Sequence, residues 1–341
     1  MGKVNAVLPH WKGLLTAAAI LVPGFVVQAV ESVSANFVST ATVIQGNGGA
    51  GARVTYFALQ RVNPVASAGR VTAVGATTLA DGNANWAQNQ FNGTNGAFYV
   101  EFDSGWKADI AGTDRATKTL TLADSPVGVV TGNAYRIRRH LTIADIFGKN
   151  NEAGLLAGPN NAQADNVLLY IPEMQQVLTF FYSNVPGFTG WYQDNYTSAA
   201  DVVVNPETGL MVRTKSNRDV VLYGAGSAKE GVNLTTVYPG FNLLGTLKAK
   251  RALTLSELNI YTGNGTNGLA SGANPAVADN LILVNPDSTT RSYFYSDYPG
   301  FQGWYDASYQ ASSNVTIAPG TAFFLQRKTP RSGFYWVVPA E

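Results

Sequence analysis

From Ala41 onward the chain alternates apolar and polar positions in short runs, with β-branched and aromatic residues on the apolar beat. Runs at 41–45, 53–59, 70–74, 97–102, 117–122 and 133–138 are separated by Gly, Asn and Asp turns. A period of two with such punctuation predicts strands, and the spacing suits meanders or barrels.

Beyond residue 140 the alternation recurs in two copies. Strands are expected at 167–170, 176–182, 201–204, 210–214 and 220–223, and again at 281–284, 291–295, 314–317, 322–327 and 334–338. Each copy opens on a helical signal, Leu141-Thr-Ile-Ala-Asp145 in one and Leu253-Thr-Leu-Ser-Glu257 in the other. A Thr followed three residues later by an acid has the spacing of a capping box, so one or two helical turns are expected at each. The pattern F-Y-S-x-x-P-G-F-x-G-W-Y-x-x-x-Y lies at 181–196 and 294–309, and the match runs without a gap from Ser183 to Tyr223 against Ser296 to Trp336. A repeat this long means one structural unit used twice.

The expected fold is therefore all-β: an N-terminal small β module followed by two homologous β-sandwich-like repeats, each with one short helix. The divisions read as a signal peptide at 1–29, extended lead-in strands at 30–67, the module at 68–130, and repeats at 131–230 and 231–341. Residues 224–231 read as a turn and 238–244 as the lead into the second repeat. So short a linker predicts that the repeats pack on each other.

Composition narrows the function. Lys and Arg total 23 against 22 Asp and Glu, and only 13% of residues are charged, so nothing electrostatic points to nucleic acid or an anionic membrane as partner. The cysteine count is zero, which removes a disulfide framework, a thiol nucleophile and an acylated lipoprotein anchor. Lys3, His10 and Lys12 precede an apolar stretch at 14–22, and Val27 and Ala29 supply small residues for cleavage after Ala29. This is the pattern of a secretory leader, and it leaves no transmembrane span in the mature chain. Of the two histidines only His140 follows that site, so one chain cannot build a multi-His metal centre. No metal or other cofactor is expected.

The densest candidate chemistry is aromatic. Phe188, Trp191, Tyr192 and Tyr196 in one copy match Phe301, Trp304, Tyr305 and Tyr309 in the other. Exposed, such rings stack on sugar faces or seed protein interfaces; buried, they rebuild one core twice. Retention in both copies favours packing. Paired carboxylates for glycoside hydrolysis would come from Asp165, Asp194, Asp279 and Asp306, but only Asp165 and Asp279 recur, and Asp-Asn before a strand suits a turn. His140 follows Arg136, Arg138 and Arg139, a cluster that could grip an acid or simply line a solvated strand face. The glycines at 46–51 have dinucleotide-loop spacing but lead into a strand, and Asp81-Gly-Asn-Ala-Asn85 lacks the Gly and distal Glu of a calcium loop; both read as turns.

The Trp86–Phe91 and Phe98–Gly105 stretches, Thr119-Leu-Thr-Leu122, the Leu-Thr-x-x-acid helix and the Ala-Asp-Asn strand together resemble an uncharacterised family of exported β-repeat proteins of verrucomicrobial-type bacteria. The resemblance covers most of the mature chain. It implies export and modular architecture, and it brings no activity with it. The leading expectation is an exported surface or extracellular structural protein, self-associating and polymer-forming, whose partners are itself or other surface proteins. The alternative is a carbohydrate-binding protein that meets polysaccharide through the aromatic boxes. A glycan-cleaving enzyme comes third, and no catalytic residue is assigned.

Overall fold

A computed structural model describes residues 29–34, 37–49, 51–93, 96–247 and 250–339. The leader expected over 1–29 lies outside these residues apart from Ala29. The chain is built from antiparallel sheets, as the alternation requires, around three separate cores.

The N-terminal module is a closed sheet. Val65–Arg70 pairs with Ala134–Arg139, and the order continues through Phe98–Phe102, Lys107–Asp114, Thr119–Leu122 and Thr78–Ala80 to Ala73–Val74. Val65–Arg70 runs on through Val71 and Thr72, where the Val71 amide donates to Asn133 and the Thr72 amide to Ala80, so the first and last strands are one bent segment. The barrel is filled by Leu79, Trp86, Phe91, Val100, Leu120 and Ile137. It extends past the expected limits of 68–130, because Ala134–Arg139 is needed to close it. No strand was expected at Lys107–Asp114, where Gly112 and the polar Lys107, Asp109, Thr113 and Asp114 interrupt the apolar signal.

In the first repeat a large sheet has the order Phe188–Gln193, Gln176–Val185, Asn166–Ile171, Gly209–Thr214, Arg53–Ala58. A smaller sheet places Phe37–Ile44 between Ala29–Ser34 and Val220–Ser227. Ile44, Val220 and Leu222 of the small sheet close over Phe57, Val167, Phe180, Trp191 and Leu210 of the large one, giving a sandwich core. The second repeat repeats the plan: Gly303–Asp306, Thr290–Ser296, Asn280–Val284, Ala322–Arg327 and Gly240–Gly245, covered by Asn233–Val237 paired with Phe334–Val338.

Strand positions thereby revise the division of the chain. Residues expected as extended lead-in strands at 30–67 belong to the first repeat: Ala29–Ser34 edges its smaller sheet, and Phe37–Ile44 and Arg53–Ala58 occupy the places that Asn233–Val237 and Gly240–Gly245 hold in the second. The barrel is inserted between Ala58 and Leu141, where the second repeat has only the connection from Gly245 to Leu253. The turn expected at 224–231 is half strand, because Gly224 to Ser227 pair with Thr40 to Phe37.

Two finer expectations change. Ile143–Phe147 is a helix with a complete capping box, in which Asp145 accepts from the Thr142 amide at 3.0 Å and Thr142 Oγ1 accepts from the Asp145 amide at 3.2 Å. The second copy makes the same Thr254–Glu257 bonds but closes a single turn, with Leu258 donating to the Thr254 carbonyl, and is no α-helix. The gapless match to Tyr223 and Trp336 also slips at its end. Ile44 faces Val220 whereas Val237 faces Phe334, so Gly333 is an extra residue and Leu222 corresponds to Trp336.

The two large sheets meet face to face about a local two-fold axis. The Ala58 amide donates to Gly320 at 2.7 Å, and its counterpart, the Gly245 amide, donates to Glu207 at 3.1 Å. Leu168, Tyr170, Met211, Leu243 and Ala322 form the shared core, with the Phe324 ring 6.0 Å from both Tyr56 and Tyr170. A Cβ built on Gly245 would lie 2.1 Å from that of Ala58, and one on Gly209 would lie 2.7 Å from that of Ala322. Each self-facing pair therefore holds one Gly and one Ala. Identical copies would have had to place two alanines or two glycines there; duplication within one chain permits the closer packing.

Candidate functional site

Reading Phe188–Gln193 and Gly303–Asp306 as strands splits the aromatic boxes by face. Trp191 and Trp304 point inward and are each 2% exposed. Trp191 packs on Phe147 and Tyr182 at 5.7 and 5.4 Å, and its indole N–H donates to Gly148 at the helix end at 2.8 Å. In the second repeat it is Trp336 that donates to the corresponding turn, at Leu258, at 2.9 Å.

The other rings point outward. Phe188 and Tyr196 are 63% and 58% exposed, and Phe301 and Tyr309 are 58% and 54% exposed. Tyr192 and Tyr305 are half-buried. Under each set lies a fully buried anchor. Phe181 stands 6.4 Å from Tyr192 and 5.8 Å from Tyr196, and Phe294 stands 6.3 Å from Tyr305 and 5.8 Å from Tyr309. The two strips are near-copies in geometry. Gly190 and Gly303 sit between the Phe and the Tyr of each strand, opposite Ser183 and Ser296, which leaves the middle of each strip low.

Tyr196 and Tyr309 adopt φ of 65° and 61°, a left-handed conformation that a non-glycine residue rarely takes. The strain, about 1–2 kcal/mol, is accepted in both copies to swing the ring back over its anchor. The tight turns are fixed by Tyr196 donating to Gln193 and Tyr309 to Asp306, at 2.8 and 2.9 Å. The returning chain then covers the strand edge: the Ala199 amide donates to Trp191 and the Ser312 amide to Trp304. These edges offer faces and not open ladders. Within each sheet the strip lies at the edge opposite Arg53–Ala58 or Gly240–Gly245, the strands that meet at the two-fold axis.

The candidate acids divide. Asp165 and Asp279 are buried and bridge two segments each. Asp165 accepts from the Leu156 amide at 2.8 Å and the Lys215 amide at 2.6 Å, while Asp279 accepts from the Ala270 and Lys328 amides and from Arg327. Asp306 accepts from the Ser308 and Gln310 amides and so closes the Tyr309 turn. Asp194 is exposed. Asp81 is likewise internal, accepting from the Tyr135 hydroxyl at 2.7 Å.

The arginine cluster is not a solvated face. Arg138 and Glu101, both buried, pair at 2.7 Å, and Lys229 reaches the other Glu101 oxygen at 2.7 Å. Burial alone would raise the Glu101 carboxyl; Lys229 and Arg138 outweigh it and hold the group below its ordinary range. Arg136 joins Asp103 to Glu230, Arg139 pairs with Asp145, and His140 lies 2.7 Å from Asp109 and packs at a tilt against the Tyr99 ring. The His140 ring holds the Asp109 carboxyl low. Of these, Lys229–Glu101 and Arg136–Glu230 bolt the barrel to the linker between the repeats, and Arg139–Asp145 ties it to the helix. The sequence signal for them, three arginines and a histidine within 136–140, was visible; most of their partners are distant in sequence and were not.

No family model matches the chain, and no curated protein is significantly similar to it. Among the described residues no helix is long and apolar enough to cross a membrane.

Proposed function

We propose that the chain is an exported structural protein of the cell surface or extracellular space that assembles with its own copies through the two aromatic strips. The observation that carries this reading is duplication of the exposed set: Phe188, Tyr192 and Tyr196 recur as Phe301, Tyr305 and Tyr309 over the same buried anchor. Rings fixed from below offer large apolar area at little entropic cost, which is what interface anchors require. Two like surfaces at the outer edges of a two-fold pair make each molecule divalent. Divalent units joined strip to strip extend as chains wherever the angle between successive contacts does not close them into a ring.

A second reading, glycan binding by the same strips, is favoured by the low glycine between two rings, which would admit a sugar face. Negative-stain imaging of the purified protein separates the two. Filaments or sheets support assembly, whereas single particles retained on polysaccharide support the glycan reading and defeat the first.

A further inference from the structure

In the second repeat a cleft of about 520 Å³ opens beside the strand pair Asn233–Val237 and Phe334–Val338. That size is within the range of small-ligand sites. Its aromatic walls are Tyr238 and Tyr335, the latter 66% exposed. Thr236, Thr266, Asn267 and Ser332 supply the polar lining, and among the described residues their side chains make no intramolecular hydrogen bond. No charged side chain lines it.

The cleft is held open by a buried arginine. Arg327, 1% exposed, donates to the carbonyls of Gly265 and Gly268 on one wall and of Ser332 on the other, at 2.6, 3.0 and 2.9 Å. Asp279 fixes its charge at 2.7 Å, and the Phe334 ring lies 5.0 Å from the guanidinium carbon. In the first repeat the equivalent residue is Thr214, whose hydroxyl donates to the carbonyls of Gln45 and of Arg53, its own sheet partner. A packing unit copied twice needs only the threonine. The arginine and the loop walls it organises are an addition.

We propose that this cleft binds a neutral saccharide unit, its apolar C–H face on Tyr335 and its hydroxyls met by Asn267, Thr266 and Ser332. Flat aromatic area beside neutral hydrogen-bonding groups suits a ligand with one apolar face and a polar rim. Glu173 stands against Tyr238, and Asp124 acts on the same ring. Negative charge near enough to act on Tyr238 disfavours anionic sugars. The site is separate from the aromatic strips, so it stands or falls independently of assembly.

The test is affinity electrophoresis in gels containing dextran, laminarin, xyloglucan or alginate, with a polysaccharide-free gel as reference. The protein used carries Phe188→Ser, Tyr196→Ser, Phe301→Ser and Tyr309→Ser, which remove strip-driven association. Retardation is expected with at least one of the three neutral polymers and not with alginate. Tyr335→Ala and Asn267→Ala should each weaken it by about ten-fold, while melting temperatures stay at the parent value because both side chains are exposed. Absence of retardation by every neutral polymer, equal retardation of the Tyr335→Ala protein, or stronger retardation by alginate would each overturn the proposal.

Discussion

The contact of Ala58 with Gly245 offers a sharp test of the two-fold packing. A methyl group added at Gly245 would place two Cβ atoms 2.1 Å apart, with only Ala58 in the way. Overpacking of this kind costs about 1–3 kcal/mol, and the backbone on each side is pinned by sheet pairing and cannot easily retreat. Gly245→Ala should therefore destabilise by that amount. Ala58→Gly alone should cost about 0.5–1 kcal/mol, the usual penalty of glycine in a strand. In the double variant the alanine and glycine simply change places across the axis. The clash disappears, and the strand gain at one site offsets the loss at the other, so stability should return to within about 1 kcal/mol of the parent. Urea denaturation followed by the buried tryptophans of both repeats, Trp191, Trp304 and Trp336, reads this directly. Additive losses in the double variant would mean that the two positions do not face each other, and the packing described would be wrong.

Other expectations follow from the same coordinates. Trp191→Ala and Trp304→Ala should each cost about 3–5 kcal/mol in denaturant titrations, since both indoles fill a core. Glu101→Gln leaves Arg138 and Lys229 buried without their carboxylate, and should cost about 3–5 kcal/mol by the same measurement. Glu101 and Asp109 are both held below the ordinary carboxylate range. The unfolded chain thus binds more protons than the folded one in acid, so their contribution is full above about pH 5 and is lost as the pH falls through their folded values. Melting curves should show this loss, and a Glu101→Gln background should flatten it. Tyr196→Gly relieves a left-handed backbone and deletes an exposed ring, so thermal stability should scarcely change while association weakens.

The strand content, the duplication and the capping boxes were legible in the sequence because each is a local signal. Alternation marks strands, and the Thr-to-acid spacing marks a helix start whether or not a second turn follows. What stayed hidden was long-range. Nothing near Arg53–Ala58 announces that its partner is Gly209–Thr214, so the insertion of the barrel into the first repeat could not be read. Lys107–Asp114 and Asn233–Val237 were too polar to stand out, though both are required by their sheets. The aromatic box was legible in part. Once Phe188–Gln193 is taken as a strand, its period of two sends Phe188 and Tyr192 outward and Trp191 inward. Without a strand expected between 182 and 201 that division stayed concealed, and the left-handed Tyr196 has no signature in its neighbours.

Sedimentation velocity on a concentration series tests the assembly claim most directly, comparing the parent with proteins altered in one strip or in both. A contact of three rings per strip is at the small end of interfaces, so assembly should rise with concentration. The account predicts polymers for the parent, no species beyond dimers when Phe188→Ser and Tyr196→Ser disable one strip, and monomers when Phe301→Ser and Tyr309→Ser disable the other as well. A parent protein that stays monomeric across the series, or polymers that survive loss of both strips, would contradict it.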